Sequence, residues 1–543
     1  METRASGMGA WLCRLWLWLW IVSSLGGAGW AASCPDGEKP DREKIKEIQM
    51  RLDHLRPETR RYGVSLAAEL NWPQAWGWVL EALEDEESEV ADVAQLRLAG
   101  VSCPKGLDLL LGRPGLGHRE STVRLRVAEA LGRVEVPVNG EQLVRAMKRS
   151  DPELCRRLLW SLERLERRGL LVGDRDRIGR RIEDALGRGH AERVRADALA
   201  ALMRVQPSRA LRHLRAALRD KKRTLLRTAA VILLAEQRRG DDGLEDFDPV
   251  PATEILAGLE AASSDAQPCV RRAAYRALGM EPGASSLAIL IRRLEEEDQR
   301  HLRTLLVGIL RGISGLKHSD DPRPWRDWLG RLGRLGRLGE GGVPPRAVSP
   351  GRDTYQTRVA TTLAQLRPST DRSVILVDLS GSVWMDLKGG VSRKQLLDRE
   401  LRALLEGLPR TVSFNLIPYA TRPDPWEKRM VTATPKAVRR AWGEFESSRL
   451  RGRGDVWSAV QVALQDPDLG SLLIITDGAP TGGEHSNMEL LVPLLEWECR
   501  WRGIAVDSVL IDSAKRLQIF WSDLARRTGG TMTPVHFESE ALR

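Results

Sequence analysis

The hydrophobic period changes once along this 543-residue chain, and that change limits what it can fold into. Residues 41–330 place apolar side chains at i, i+3, i+4 and i+7, the helical period, with few strand signals. Residues 371–538 instead alternate short continuous apolar runs with helical stretches, the pattern of a parallel sheet covered on both faces. One core cannot serve both patterns. The expected fold class is therefore multidomain: an α-solenoid followed by an α/β doubly wound parallel-sheet domain. The length allows three to four domains at roughly 150 residues each.

Within 41–330 a unit recurs every 30 to 45 residues or so. It is a helix with Arg near its start and Ala and Leu on one face. Instances are RRYGVSLAAEL (60–70), STVRLRVAEALGRV (121–134), ELCRRLLWSLERL (153–165), ERVRADALAALMRV (192–205), KRTLLRTAAVILLAE (222–236) and CVRRAAYRALGM (269–280). Junctions carry Asp or Pro, as at Asp151-Pro152 and Gln267-Pro268. Small Ala positions let neighbouring helices approach, and Leu fills the layer between them. One helix pair cannot bury its apolar stripe alone, so stacked copies share a core. The pattern resembles HEAT-like repeats, whose antiparallel helix pairs stack into a curved solenoid. That resemblance implies a scaffold and a protein-binding surface.

The ends and the junction read differently. Arg4 and Arg14 precede or flank the apolar run Leu15–Leu25, and the small residues GGAGWAAS follow, which predicts a secretory signal over 1–32. The run is shorter than the roughly 20 residues of a spanning helix. Ala31-Ala32-Ser33-Cys34 resembles a lipoprotein processing site, so Cys34, or an uncleaved signal, would tether the protein to a membrane. The expected location is exported: periplasmic, cell-envelope or extracellular. Residues 331–370 (with GRLGRLGRLG and Pro344, Pro345, Pro350) read as a Gly/Pro/Arg-rich linker, ending in a short helix at 354–366. Beyond the signal, Cys34, Cys103, Cys155, Cys269 and Cys499 are odd in number with no CxxC, so buried thiols are expected rather than disulfides.

The net charge is +10, and 71 of the 84 basic residues are Arg. The Arg rows read as a solvated face paired with the abundant Glu and Asp. They lack the aromatic–basic interleaving of single-strand binders, so nucleic acid is not an expected partner.

The chemistry concentrates in 371–538. Strand SVILVDLS (373–380) ends in Asp378-Leu379-Ser380-Gly381-Ser382, and strand SLLIITD (471–477) ends in Thr476-Asp477-Gly478. Between them Arg451-Gly452-Arg453-Gly454-Asp455 precedes a helix. Ligands of such sheets sit beyond the C-terminal strand ends. A carboxylate and two hydroxyls on one tight turn, met by a second carboxylate, form a hard-oxygen nest suited to Mg²⁺. The combination resembles the von Willebrand factor type A domain with its metal-ion-dependent adhesion site. The resemblance implies that Ser380 and Ser382 bind Mg²⁺ or Mn²⁺ directly, while Asp378 and Asp477 act mainly through water. The family's middle loop carries Thr where this chain has Gly454, so Asp455 or water is expected to substitute. His485 and Asp386, near these loops in sequence, are weaker candidates for partner contact.

The expected function is non-enzymatic: an exported adhesion-type interaction protein whose metal takes an Asp or Glu of a protein partner as its last ligand. The alternative is an accessory subunit of an enzyme assembly, of the metal-insertion or ATPase-partner type. The chain has no phosphate-cradling Gly-rich motif with Lys, no HExxH and no paired carboxylates on one element. A metal-dependent hydrolase would need a base near Asp378, for which His485 is the candidate histidine.

Overall fold

The structure is a computed structural model and describes residues 40–148, 150–238, 250–280, 283–334, 363, 366, 368–386 and 392–537. The expected signal, Cys34, most of the linker and nearly all of the helix expected at 354–366 lie outside the described residues. Among the described residues no helix is long and apolar enough to cross a membrane.

The first module is helical. Eight helices form a row in which each packs on the next: α1 (Pro57–Glu69), α2 (Ser88–Leu98), α3 (Ser121–Leu131), α4 (Pro152–Arg167), α5 (Glu192–Val205), α6 (Thr224–Arg238), α7 (Pro268–Met280) and α8 (Arg300–Ser314). The intervening helices Pro73–Glu81, Pro207–Arg219 and Ala284–Glu296 each touch the two row members that flank them. Proline opens α1, α4 and α7, where its missing N–H is no loss. The Asp151 side chain caps α4 by accepting from the Leu154 N–H at 3.1 Å.

The arginine of the repeated unit explains the regularity. Arg60 donates to both carboxylate oxygens of Asp85 (2.7 and 2.8 Å) and to the carbonyls of His54 and Leu55. Arg271 does the same with Glu297 (2.9 and 2.8 Å) and the carbonyls of Asp265 and Ala266. Arg227 grips Asp265 bidentately, and Arg124 donates to Asp151 at 3.1 Å. Each guanidinium thus ties the turn before its own helix to the turn that leads into the next row member. The rigid planar fork suits this, because one side chain satisfies two sets of acceptors.

The linker expectation needs one correction. Arg331–Arg334 belong to the helix Pro322–Arg334, so the Gly-Arg-Leu run starts as helix. Its anchor is Trp325, which is fully buried and donates to the Ser319 carbonyl at 2.9 Å.

The second module is a mostly parallel six-stranded sheet. Its strands are β1 (Arg372–Asp378), β2 (Ser413–Tyr419), β3 (Val431–Thr432), β4 (Ser471–Thr476), β5 (Ala505–Ile511) and β6 (Met532–Val535), in the spatial order β3-β2-β1-β4-β5-β6. Only the short edge strand β3 runs antiparallel, pairing Phe414 with Val431. It escapes sequence reading because two residues show no periodicity. Helices α9 (Arg393–Glu406) and α10 (Pro435–Ser447) cover one face, through Leu397, Leu401, Leu404 and Phe445. Helices α11 (Val456–Ala463), α12 (Met488–Arg500) and α13 (Lys515–Thr528) cover the other, through Val460, Leu491, Leu495 and Trp521. The chain winds outward from β1 to β2 and β3, then returns to β4 on the other side of β1. The switch in strand order therefore falls between the C-terminal ends of β1 and β4.

The two modules meet along α12. Glu498 lies between Arg156 (3.0 Å), Arg157 (3.4 Å) and Arg193 (3.5 Å). Asp197 accepts from the indole N–H groups of Trp497 (2.9 Å) and Trp501 (2.6 Å) and from Arg156. Arg500 pairs with Glu163 at 3.0 Å and Glu236 at 2.7 Å. The Trp501 ring joins the apolar core of the helical module. The arginine rows thus split in two. One set laces the repeats, while Arg126, Arg156, Arg157 and Arg272 are buried against the sheet module instead of forming a solvated face.

Candidate functional site

Asp378 is the last residue of β1 and is 3% exposed. Its Oδ1 accepts the Ser380 backbone N–H at 2.8 Å, and its Oδ2 accepts the Thr476 hydroxyl at 2.8 Å. The first bond turns the chain sharply off the strand. The second ties β1 to β4 across the switch point. After the turn, Gly381–Trp384 forms one 3₁₀ turn, and Ser382 brings its Oγ to 3.3 Å from Ser380 Oγ. Two ligands on adjacent vertices of a Mg²⁺ octahedron, with bonds of 2.0–2.1 Å, lie about 3 Å apart. The hydroxyl pair has nearly that spacing.

The middle loop is held from both sides. The Gly381 N–H donates to the Gly452 carbonyl at 3.0 Å, and the Trp384 indole donates to the Leu450 carbonyl at 3.1 Å. A side chain at Gly454 would point into the cluster: its Cβ would lie 3.3 Å from Asp378 Oδ2 and 3.6 Å from Ser380 Cβ. The hydroxyl absent from this loop is thus absent at the place where it would reach the site.

Asp455 is buried, and its Oδ1 is committed to capping α11 through the Ser458 N–H at 2.9 Å. Asp477 follows β4, is half-buried, and its charge acts on Asp378. Burial raises the Asp378 carboxyl above its ordinary value, and the hydrogen bonds from Ser380 and Thr476 offset only part of this. Tyr419, at the end of β2, is also buried in this neighbourhood. Burial first, then the charge of Asp378, pushes its phenol well above the ordinary value.

Two weaker candidates lie elsewhere. Asp386 is exposed and forms an isolated bridge with Ser392. His485 needs correcting as a partner contact, since it is completely buried between the modules. Its ring lies 3.7 Å from both Asp92 and Glu129 and edge-on to Trp457 at 5.0 Å. The loop folds inward because Asp92 Oδ2 accepts from the Ser486 N–H (2.7 Å), the Ser486 hydroxyl (2.9 Å) and the Asn487 N–H (2.8 Å). The histidine therefore faces the chain's own helical module and is closed to solvent.

Sequence reasoning missed Thr476 and Tyr419 as members of the cluster. Thr476 had a signal, as the residue before Asp477 at a strand end. Tyr419 had none, because only the β1–β2 register, which pairs it with Asp378, brings it there. Among the described residues no three His, Cys, Asp or Glu side chains converge as a metal-ligating group. Any ion bound here would rely on hydroxyls and water as well as carboxylates, a donor set suited to Mg²⁺ rather than to softer metals.

No family model matches the chain, and no curated protein matches it in sequence. Solved structures are similar to it at low scores. An aerotolerance-related membrane protein from Bacteroides fragilis is 16% identical over 32% of this chain and 94% of that one, with a TM-score of 0.25. The PilB minor pilin from Streptococcus sanguinis is 13% identical over 33% of this chain and 59% of that one, at 0.24. The RO (RSR) protein of Deinococcus radiodurans is 14% identical over 92% of this chain and 90% of that one, at 0.20. Scores this low carry no argument about function.

Proposed function

We propose that the second module is a von Willebrand factor type A-like domain that binds Mg²⁺ or Mn²⁺ and, through it, an acidic group of a protein partner. Ser380 and Ser382 would hold the ion directly, and Asp378 and Asp477 through water. Water would fill the place left by Gly454, since Asp455 is engaged as a helix cap. The observation that carries this reading is the pair of serine hydroxyls 3.3 Å apart at the switch point, braced by Asp378. With few formal charges in its shell, a bound ion would supply electrophilicity toward a partner Asp or Glu. The reading is non-enzymatic, with the helical module as scaffold and the protein exported. A reporter fused after residue 40 that stays in the cytoplasm would remove the export part.

The test uses the full chain, because the interface along α12 ties the modules together. Thermal unfolding is compared in EDTA and in millimolar Mg²⁺ or Mn²⁺, beside Asp378→Ala and Ser380→Ala. An ion that binds only the folded state stabilises it by about 2.7 kcal/mol at 100 times its Kd. The expected outcome is a metal-dependent rise in midpoint that both variants lose. No rise at millimolar metal would sink the reading.

A further inference from the structure

A cavity lies at the opposite end of the sheet from the serine cluster. There the N-terminal ends of β1 and β4 face the helical module across a space of about 1020 Å³. Four consecutive row helices begin at its wall. Glu192 opens α5, Thr224 opens α6, Pro268 opens α7, and His301 is the second residue of α8; all four line the cavity. Helix N-termini present free N–H groups and a partial positive charge, and each of these helices is at least 13 residues long.

Charged side chains add to this field. Arg193, Lys222, Arg272, Arg372 and Arg502 line the cavity. Against them stand Glu192, Asp371 and Asp468, and Arg193 is already engaged by Glu498 and the Leu464 carbonyl. Asp371 is taken by His301, and Asp468 lies 3.5 Å from Arg372. Burial pushes the Glu192 carboxyl up, which weakens it as a countercharge.

Arg272 is the decisive group. It is 5% exposed, and its Nη atoms donate only to backbone carbonyls, those of Gly470 (3.3 Å) and Arg502 (2.9 Å). Its Nε has no hydrogen-bond partner. Arg502 likewise donates to the carbonyls of Asp466 (2.6 Å) and Leu464 (2.9 Å). No carboxylate is among the hydrogen-bond partners of Arg272; Asp371, which lines the same cavity and is held by His301, acts on it only through its charge. A buried guanidinium without a direct carboxylate partner is costly unless an anion completes it. The rest of the wall is of another kind. Leu225, Pro467 and Leu469 supply apolar surface. Gln267, Gln299, Gln461 and Gln465 supply amides, and the Gln461 Nε2 is buried without a partner. The volume far exceeds what an inorganic anion needs.

We propose that this cavity between the modules binds a nucleoside phosphate, with the phosphate between Arg272 and Lys222 and the base between the apolar wall and the glutamine amides. The site is independent of the metal cluster, so the experiment is run in EDTA. Isothermal titration calorimetry of the full chain uses AMP, GMP, CMP and UMP, with inorganic phosphate as the comparison. At least one nucleotide should bind ten times more tightly than phosphate. Lys222→Glu, at an exposed position, should weaken that nucleotide at least tenfold, as should Arg272→Gln. Gln461→Leu should reduce discrimination among the bases. Arg145→Glu, in the separate groove lined by Arg124 and Lys148, should leave binding unchanged. No nucleotide binding at millimolar concentration would overturn the proposal, as would affinities no better than phosphate or indifference to Lys222→Glu.

Discussion

Gly454 is the residue on which the serine cluster turns. A Cβ there would sit 3.3 Å from Asp378 Oδ2, close enough that the carboxylate must give by a few tenths of an ångström. Gly454→Thr would put a hydroxyl among Asp378, Ser380 and Ser382, where the type A pattern expects one. The expected result is a larger Mg²⁺-dependent rise in unfolding midpoint than in the parent chain. Gly454→Ala supplies the methyl without the oxygen and should show no gain. Gly483 makes the opposite case. Its φ is +86°, and a Cβ there would fall 2.0 Å from Asp455 Oδ1. Gly483→Ala should force Asp455 off its cap on α11 and lower stability by about 1–3 kcal/mol in urea denaturation. Little of this is visible in the sequence. The Asp-Leu-Ser-Gly-Ser turn announces itself by following an apolar strand, but Gly483 lies 28 residues beyond Asp455 and meets it only through the folded loop.

At the scale of one element, α12 carries two kinds of ion pair that sequence cannot tell apart. Glu496 pairs with Arg527 at 2.9 Å, and both side chains are 38% exposed. Glu498, two residues on, is 5% exposed and meets three arginines of the helical module. Exposed pairs contribute about 0–1 kcal/mol, because water screens them and holding two long side chains costs entropy. Removing one partner of a buried set leaves uncompensated charge and costs about 3–5 kcal/mol. Glu496→Gln should therefore be near neutral and Glu498→Gln severely destabilising, measured side by side by urea denaturation. Equal effects would mean that α12 does not lie against the helical module in solution.

For the whole molecule, the interface makes stability depend on acid. Burial alone would raise Glu498 and Glu163, but Arg156 and Arg157 for the first, and Arg500 and Arg167 for the second, hold both below the ordinary glutamate value. Asp92 is likewise held down: burial opposes it, and His485 and Arg126 win. A carboxylate depressed in the folded state stabilises above its unfolded pKa of roughly 4 and loses that contribution as pH falls through the lower folded value. Asp197 goes the other way, raised chiefly by burial, so it favours the folded state in acid. Glu484, half-buried at the same interface, is also held down: burial opposes it, and His485, Arg157 and Arg126 win, so it too loses its contribution in acid. Below about pH 4 the modules should separate, read as a red shift of the emission of Trp497 and Trp501, both buried at neutral pH. An unchanged spectrum down to the acid unfolding of each module would contradict the interface.

The sequence by itself determined the order of the two modules, a helical one and then an α/β one, because hydrophobic period is a local property that each segment carries in its own side chains. It determined the turn at Asp378, Ser380 and Ser382 for the same reason, since strand, turn and hydroxyls are consecutive. It also carried the repeated arginine, without saying which copies lace neighbouring turns and which enter an interface. Only the tertiary structure decided that His485 is sealed inside, that Tyr419 and Thr476 join Asp378, and that Arg272 opens on a cavity. Those outcomes depend on register across the sheet and on two surfaces meeting from chain segments hundreds of residues apart, where burial sets the worth of every charge.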